Sequence, residues 1–332
     1  MDLNNWAKNK PKVEEPVKKH PTGNPFAAGN ARRPKPDKDG VILVDFSQIV
    51  LSTVMATFKP TEELSVDLLR HLILNTLRSQ VLRHRKKYPF PILCVDNATG
   101  GYWRKKVAWY YKASRKKKRD EAGWDFDTIF AAMEAVKTEI VEYLPYAVMD
   151  IEGLEADDHI GVLAPAFARA GIPVLIVSSD GDFTQLHEKN ISQYSPQAKK
   201  VVKPKYGSPM SDLLEKCFRG DRKDGIANIK SPADLYAQPG SPRATQIKQV
   251  EIDRWKAAAI TDENLQGVLT EEQFNRYREN RNLLDFLCIP QDIRDKITKK
   301  YSEIDIPPAR KVIDYFGRYK LNQLMKHIDD YR

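Results

Sequence analysis

Nine carboxylates mark the residues of this chain whose types and spacing could do chemistry. Most follow a short apolar run, and three of them fall within four consecutive positions. The nine are Asp45, Asp96, Glu155, Asp157, Asp158, Asp180, Asp182, Asp221 and Asp224. Acids gathered at one place repel one another and cannot all stay ionised without a compensating positive charge. Hard oxygen ligands with no accompanying Cys or His cluster favour Mg²⁺, or Mn²⁺ in its place, over zinc.

Two such ions about 4 Å apart would balance this charge and support in-line phosphoryl chemistry. One ion generates hydroxide from bound water, and the other stabilises the leaving 3′ oxygen. The competing interpretation is that each acid merely caps a helix or ends a turn, and Asp158 is well placed for capping. Taken together, five separate segments that end in acid favour the metal site.

The remaining potential metal ligands do not form a second pattern. Cys94, Cys217 and Cys288 are isolated and contain no CxxC pair, which argues against a disulfide framework or a structural zinc site. His159 and His187 are also isolated, and we interpret His159 as a packing residue rather than a ligand. The acids are therefore the candidates for metal binding.

The elements that must position these acids alternate between strand and helix. Short apolar runs with aspartate at their ends cover residues 40–46, 90–97, 146–150 and 172–180, and helical patterns cover 64–87 and 127–144. This alternation predicts an α/β fold with a mostly parallel central sheet covered by helices. The carboxyl ends of parallel strands meet at one edge, which is where open α/β folds place their sites. We therefore expect the acids to converge there.

Three regions are predicted along the chain. Residues 1–39, with six prolines and nine Lys or Arg, are interpreted as a disordered basic tail. Residues 40–205 form the α/β core, which includes a basic arch or bridge region at about 100–127 and in which 187–204 are expected to add a further strand or hairpin. Residues 206–332 form a helical C-terminal region, with a capping box at Thr270 and Gln273 and a final amphipathic helix over 308–328.

The charge balance favours a polyanionic partner. The 332 residues include 54 Lys or Arg against 45 Asp or Glu, a formal net charge of +9. Phosphates of a nucleic acid supply sequence-independent affinity for such an excess. No apolar run reaches the roughly 18 residues that span a bilayer, and the N-terminal residues lack a signal peptide's apolar stretch. We expect no membrane association and a cytoplasmic setting.

Residues 102–119 concentrate nine basic side chains and five aromatic rings. Charge that follows a phosphate backbone, combined with rings on which bases stack, is typical of single-strand binding. The predicted nucleic-acid contacts are Arg104, Lys105, Lys106, Lys112, Arg115, Lys116, Lys117, Lys118 and Arg119. Arg104 and Lys112 are spaced to share one helical face, from which both would stabilise charge on the scissile phosphate. The competing interpretation is a solvated basic helix with its aromatic rings turned to the core.

Several stretches of the chain resemble one nuclease family. "VDFSQIVLST", "CVDNATGGYWRKKVAWYYK", "YAVMDIEGLEADDHI", "LIVSSDGDFTQLH", "GDRKD" and "NRYRENRNLLDF" are similar to the ribonuclease H-type members, from T-even bacteriophages, of the flap endonuclease and 5′-3′ exonuclease family. The resemblance extends from about residue 40 to near the C-terminus. It implies a PIN-like 5′-nuclease core and a two-metal enzyme. Such an enzyme removes RNA primers and adjacent DNA from 5′ ends, on RNA–DNA hybrids, on duplex DNA and at flaps.

The resemblance also implies roles for individual residues. The first metal site would use Asp45, Asp96, Glu155, Asp157, Asp158 and Asp180, and the second would rely mainly on Asp182, Asp221 and Asp224. Asp157 and Asp180, with Arg104 and Lys112 of a bridge or arch over the 5′ end, are the predicted catalytic residues. The C-terminal region would bind DNA. A sliding clamp and a single-stranded DNA-binding protein are the implied partners of a monomer in the host bacterial cytoplasm.

Two departures and two alternatives accompany this interpretation. Gly225 follows Asp224 where the family pattern is Asp-Asn, and the Gly-rich helix–hairpin–helix of many relatives is not visible downstream.

A PIN-like endoribonuclease would share the sheet and the acids but needs neither the basic segment nor "GDRKD". A non-catalytic, structure-specific DNA-binding protein would lack some of the acids, and none of the nine is missing. The 5′ nuclease is the favoured interpretation.

Overall fold

A six-stranded sheet forms the centre of the computed structural model, which describes residues 39–238, 240 and 243–331. The strands are β1 (Val41–Asp45), β2 (Phe90–Cys94), β3 (Ala147–Met149), β4 (Val174–Val177), β5 (Ile191–Ser195) and β6 (Lys200–Val201). Their order in the sheet is β3-β2-β1-β4-β5-β6. The first five are parallel, and β6 runs antiparallel to β5. The mostly parallel sheet and the added hairpin after residue 187 are both confirmed.

Helices surround this sheet and make up most of the chain after β6. Those of the described residues are α1 (Phe46–Thr57), α2 (Val66–His84), α3 (Arg104–Val107), α4 (Arg115–Glu121), α5 (Phe126–Tyr143), α6 (Ala156–Arg169), α7 (Pro209–Arg219), α8 (Gln249–Ala258), α9 (Asp262–Gln266), α10 (Glu271–Leu284), α11 (Gln291–Glu303), α12 (Lys311–Arg318) and α13 (Asn322–Met325). The helical C-terminal region is confirmed. Among the described residues, no helix combines the length and the hydropathy needed to cross a membrane.

The sheet is buried on both faces because its strands alternate between two cores. Ile42 and Val44 of β1 pack in a core that α1, α2, α5 and α12 cover. Val41 and Leu43 point the other way, into a core covered by α6 and α11. Side chains of a strand point alternately to its two faces, so a run that is apolar throughout suits a sheet covered on both sides.

A third core joins the basic segment to the C-terminal helices. Tyr110 and Tyr111 are buried there against apolar side chains of α7, α8 and α10. Helices α11 and α12 then return to the two faces of the sheet. The proposed division near residue 205 stays a prediction, and the predicted tail lies outside the described residues except for Asp39.

The predicted final helix over 308–328 is wrong as a single element. It divides into α12 and α13, because Lys320 between them adopts a left-handed backbone with φ of 52°. The amide of Leu321 donates to the carbonyl of Phe316 at 2.9 Å across this turn. Val312, Phe316 and Leu324 of the predicted helix are buried in the core beneath α12 and α13. The capping box at Thr270 and Gln273 is present.

Candidate active site

The carboxyl edge of the sheet brings together acids from separate segments. Asp45 ends β1 and caps α1 by accepting from the amide of Gln48 at 3.1 Å. Asp96 follows β2, and its Oδ1 accepts from the amide of Ala156 at 2.8 Å. Asp180 follows β4, and its Oδ1 accepts from the amide of Asp182 at 3.0 Å. Each acid therefore also holds the first turn of the element that follows it or lies beside it.

Four of these acids, which we call the open acids, have no basic ion-pair partner among the described residues. They are Asp45, Asp96, Asp157 and Asp180. Among the described residues, no Lys or Arg forms an ion pair with any of the four. Burial, followed by the charge of Asp96, raises the pKa of Asp45 to about 7. Burial also raises the pKa of Asp157 and of Asp180, and neighbouring acids add to this, although the charge of Lys112 lowers the pKa of Asp157 and that of Lys216 lowers the pKa of Asp180. Carboxylates in this position fit a bound cation, whose charge would reverse these shifts.

Ser178 connects two of the open acids and was missed in the sequence. Its hydroxyl donates to Oδ2 of Asp45 at 2.9 Å, and its oxygen accepts from the amide of Asp180 at 3.1 Å. Ser178 is fully buried at the end of β4. The polar pair of serines directly before Asp180 is the sequence signal that points to this role.

Glu155 and Asp158 are held instead by Arg104. All three side chains are buried, at 1%, 0% and 3% exposure. Nη1 of Arg104 donates to Glu155 Oε2 at 2.9 Å and to Asp158 Oδ1 at 2.7 Å. The second oxygen of Asp158 accepts from the amide of Glu155 at 2.9 Å, as part of the capping box of α6. Asp158 therefore caps its helix, and its role as a metal ligand stays a prediction.

Lys112 and Arg115 bind Asp224, and Lys112 also contacts Glu155. The ammonium of Lys112 contacts Oε1 of Glu155 and lies 3.7 Å from Oδ2 of Asp224. Arg115 donates to Oδ1 of Asp224 at 2.6 Å. Burial alone would raise the pKa of Asp224, but the charges of Lys112 and Arg115 outweigh it and hold that pKa below its usual value. The hydroxyl of Tyr111 donates to Glu155 at 3.1 Å, a contact that the sequence did not indicate.

Asp182 and Asp221 form a separate pair around one lysine. Nζ of Lys216, on α7, contacts Oδ1 of Asp182 and lies 2.8 Å from Oδ2 of Asp221. Sequence reasoning missed Lys216, because one lysine among 54 basic residues carries no distinguishing mark. All nine predicted acids thus lie at the same edge, in groups that differ in what neutralises them.

The predicted common helix for Arg104 and Lys112 is wrong. Helix α3 ends at Val107, and the chain then turns until α4 begins at Arg115. Tyr110 and Tyr111 turn into the third core, and Lys112 takes a left-handed backbone with φ of 56°. The amide of Lys112 donates to the carbonyl of Asp224 at 2.8 Å. Both basic side chains nevertheless reach Glu155, from two different elements.

The departure at Gly225 has a conformational explanation. Gly225 has a left-handed backbone with φ of 77°, and a Cβ at this position would lie 3.0 Å from the carbonyl oxygen of Tyr110. Glycine adopts this conformation without strain, and asparagine tolerates it better than most residues. The exchange of Asn for Gly therefore keeps the turn that carries Asp224.

The outer part of the basic segment faces solvent. Lys105, Lys106, Lys116, Lys117, Lys118 and Arg119 are exposed, and so is Trp109, at 66%. Tyr110 and Tyr111 are core residues, so Trp109 is the exposed ring among the five of this segment, and its stacking on a base stays a prediction. Arg104 and Lys112 face the acids, and their predicted contact with nucleic acid stays a prediction.

The positions of the possible ligands also show whether their side chains already form a metal-binding group. In the described ranges, no three His, Cys, Asp or Glu side chains already converge on one ion position. His159 is fully buried, and burial lowers its pKa to about 4, which keeps the ring neutral.

A helix-covered parallel sheet with acids along its carboxyl edge, beside an exposed basic segment, defines a nuclease fold. The family model described as 5′-3′ exonuclease, N-terminal resolvase-like domain, matches residues 41–209. The chain belongs to this 5′-3′ exonuclease family and is a hydrolase. The family model T4 RNase H, C terminal, matches residues 207–331.

Individual relatives narrow this assignment. Ribonuclease H of Enterobacteria phage T4 is 41% identical over 297 residues, which cover 89% of this chain and 96% of that protein. DNA polymerase I of Pseudomonas aeruginosa is 29% identical over 166 residues, but these cover only 17% of the polymerase. The similarity to the polymerase is therefore confined to one part of that protein.

Solved structures of a bacteriophage T5 nuclease share the fold. A mutant of the T5 5′-exonuclease has a TM-score of 0.54 and 16% identity, over 80% of this chain and 99% of that one. The T5 flap endonuclease in a complex with DNA and metal ions also has a TM-score of 0.54, with 17% identity, over 80% and 98%. The architecture is therefore that of a 5′-3′ exonuclease core.

Proposed function

We propose that this chain is a divalent-metal-dependent 5′ nuclease that hydrolyses phosphodiesters in RNA–DNA hybrids and duplex DNA, at 5′ ends and at flaps. Its role in replication would be the removal of RNA primers from lagging-strand fragments. The observation that carries the proposal is the set of open acids, which have no ion-pair partner in the described part of the chain and lie beside an exposed basic segment. An acidic metal site within a protein of net charge +9 suits a polyanionic substrate. The family assignment favours this function over a PIN-like endoribonuclease and over a non-catalytic DNA-binding protein.

Two Mg²⁺ ions are the proposed cofactors, with Mn²⁺ as a substitute. The open acids, together with Glu155 and Asp158, would hold the first ion, and Asp182, Asp221 and Asp224 would serve the second. Such ions, when bound, lower the pKa of a bound water and stabilise the attacking and leaving oxygens of an in-line displacement. The donor set supports hard cations because every member is a carboxylate.

The chain's own residues orient these acids and attract the substrate. Ser178 and the amide of Ala156 fix carboxylates of Asp45 and Asp96. Arg104 holds Glu155 and Asp158 against the base of the basic segment. The exposed side chains of the segment, such as Lys117, raise the local concentration of a phosphate backbone. We propose that Arg104 and Lys112 act mainly as positioning residues, while Asp157 and Asp180 carry catalysis.

The cellular context is proposed from the phage relative. A monomer in the host bacterial cytoplasm, working with a sliding clamp and a single-stranded DNA-binding protein, fits a replication nuclease. The contribution of residues 206–332 would be to bind the duplex. Size-exclusion chromatography with light scattering and pull-down with each partner test these assignments separately from cleavage.

Cleavage of 5′-labelled flap, nicked-duplex and RNA–DNA substrates, with Mg²⁺ and with a chelator, tests the function. We expect Asp157→Asn to lower the cleavage rate at least about 10²–10³-fold, because it removes charge that acts in the transition state. Binding of labelled flap DNA should persist. Glu152→Gln, in the exposed loop just before α6, is the matched control and should cleave normally. Chelator-resistant cleavage, or cleavage confined to single-stranded RNA, would overturn the proposal.

A further inference from the structure

Lys216 occupies a place that its acids would otherwise offer to a metal ion. Asp182 lies in the turn after β4, and Asp221 lies in the turn after α7, so only the folded chain brings them together. Their side chains are 11% and 13% exposed, and that of Lys216 is 31% exposed. In the part of the chain that the structure describes, neither acid has another ion-pair partner. The ammonium therefore supplies the charge that keeps these two carboxylates close.

The neighbouring basic residues are committed to a different acid. Glu215 is buried, and its two oxygens pair with Arg219 and Lys256, each at 2.5 Å. Lys216, the next residue along α7, pairs instead with Asp182 and Asp221. Among the described basic residues on this wall, it is the one whose partners are both candidates for the second ion. The arrangement differs from that of the open acids, which lie within the electrostatic influence of Lys112 and Lys216 but form no ion pair with a lysine among the described residues.

We propose that Lys216 is an internal counter-ion that holds the second metal position until an ion displaces it, and thereby sets the affinity for that ion. This inference rests on the proposed two-ion function. An ammonium and a divalent cation repel each other and cannot both lie between two carboxylates. Entry of the ion therefore requires the lysine to leave, and its free energy of pairing is subtracted from the free energy of ion binding.

The structure gives the displaced side chain somewhere to go. A cavity of about 280 Å³ opens beside Asp182 and is lined by Lys216 itself together with Thr184, Lys205 and Tyr206. The flexible four-carbon stem of a lysine can turn its ammonium into this water-accessible space without movement of the helix. The open acids, between which no ammonium forms an ion pair in the described part of the chain, should fill first, and the second ion should bind only at a higher concentration.

Calorimetric titration of the full chain with Mn²⁺, without DNA, tests the proposal directly. The wild type should bind two ions with unequal affinity. Lys216→Met should strengthen the weaker affinity about tenfold, the scale on which residues around a metal site act, and leave the stronger one unchanged. Lys216→Arg should retain the wild-type pattern because it keeps the positive charge. Lys205→Met removes a lysine from the same cavity that pairs with neither acid, and it should bind both ions as the wild type does.

Stability measurements distinguish a counter-ion from a merely structural residue. Without metal, Lys216→Met should be less stable than the wild type in urea, because two carboxylates face each other unneutralised. With saturating Mn²⁺, the difference should disappear or reverse. A loss of the same size in both buffers would contradict the proposal, as would an unchanged weaker affinity. Lys216→Gln, which keeps a polar side chain, provides the same test if the Met variant does not fold.

The outcomes for the two proposals can be separated. A wild type that binds two ions and cleaves, with an unchanged weaker affinity in Lys216→Met and Lys216→Gln, overturns the role of Lys216 alone. A wild type that binds no Mn²⁺ and cleaves without metal overturns the proposed function, and the inference with it.

Discussion

The basic segment contains two groups of side chains that use the same residue types for opposite purposes. The inner group, Arg104 and Lys112, faces the acids, and the outer group, which includes Lys105 and Lys117, faces solvent. Arg104 is 3% exposed and donates to two buried acids, whereas the side chain of Lys117 is 81% exposed and lies 3.8 Å from Glu121. Arg104 lies near carboxylates that repel one another, so its charge stabilises the site. Lys117 faces water, so its charge is available to a phosphate. What a basic residue does here depends on what lies opposite it rather than on how many others surround it.

Ion pairs made by the inner group and by the outer group differ in energy for the same reason. Removing one partner of a buried pair leaves an uncompensated charge out of contact with water, which is strongly destabilising. An exposed pair gains little because water screens it and because ordering two long side chains costs entropy. Substitutions in the inner group should therefore change the stability of the protein, and substitutions in the outer group should change nucleic-acid binding.

The largest effect is expected for Arg104→Met. Glu155 and Asp158 would remain buried without their shared partner, and we expect the free energy of unfolding to fall by about 3–5 kcal/mol. Urea denaturation of the metal-free protein measures it. Lys105→Met, one position along and exposed, is the control and should change stability by no more than about 0.5 kcal/mol. A stable Arg104→Met variant with impaired DNA binding would show that Arg104 contacts the substrate. Arg104 and the exposed basic residues would then have the same role.

An intermediate effect is expected for Trp109→Ala. This ring is 66% exposed, while the neighbouring Tyr111 is 2% exposed in the third core. Loss of an exposed stacking ring should weaken binding of a substrate with a single-stranded 5′ arm by about 1–3 kcal/mol. Fluorescence anisotropy with flap and blunt duplex substrates measures the difference. Equal weakening for both substrates would show that Trp109 does not stack on the single strand.

The smallest effect is expected for Lys117→Gln. One phosphate contact fewer should reduce the slope of log K against log salt by about 1 without changing the stability. Binding at several salt concentrations, in a buffer with Ca²⁺ to prevent cleavage, measures the slope. Glu152→Gln leaves the number of basic residues unchanged and serves as the reference. An unchanged slope would show that Lys117 does not contact the substrate, and fewer residues of the outer group would then remain as candidates for binding.

Much of the fold followed from local pattern. The apolar runs before Asp45, Asp96 and Asp180 became parallel strands or their ends, and the pattern over 64–87 became α2. These signals are strong because a strand or helix repeats its contacts every few residues, so a short window contains them. The elements whose course depends on distant contacts were predicted less well. The basic segment breaks after Val107 where two tyrosines enter the third core, and the last helix breaks at Lys320.

The sequence by itself determined which residues carry acid and that parallel strands deliver them to one edge of the sheet. It also determined the excess of positive charge that suits a nucleic-acid substrate. Only the tertiary structure decided which acids are paired: Arg104 and Lys112 with Glu155, Lys216 with Asp182 and Asp221, and, within the described residues, no Lys or Arg with the open acids. The reason is that an ion pair between distant segments depends on a separation of a few ångströms in space. Residue type and spacing along the chain do not specify that separation.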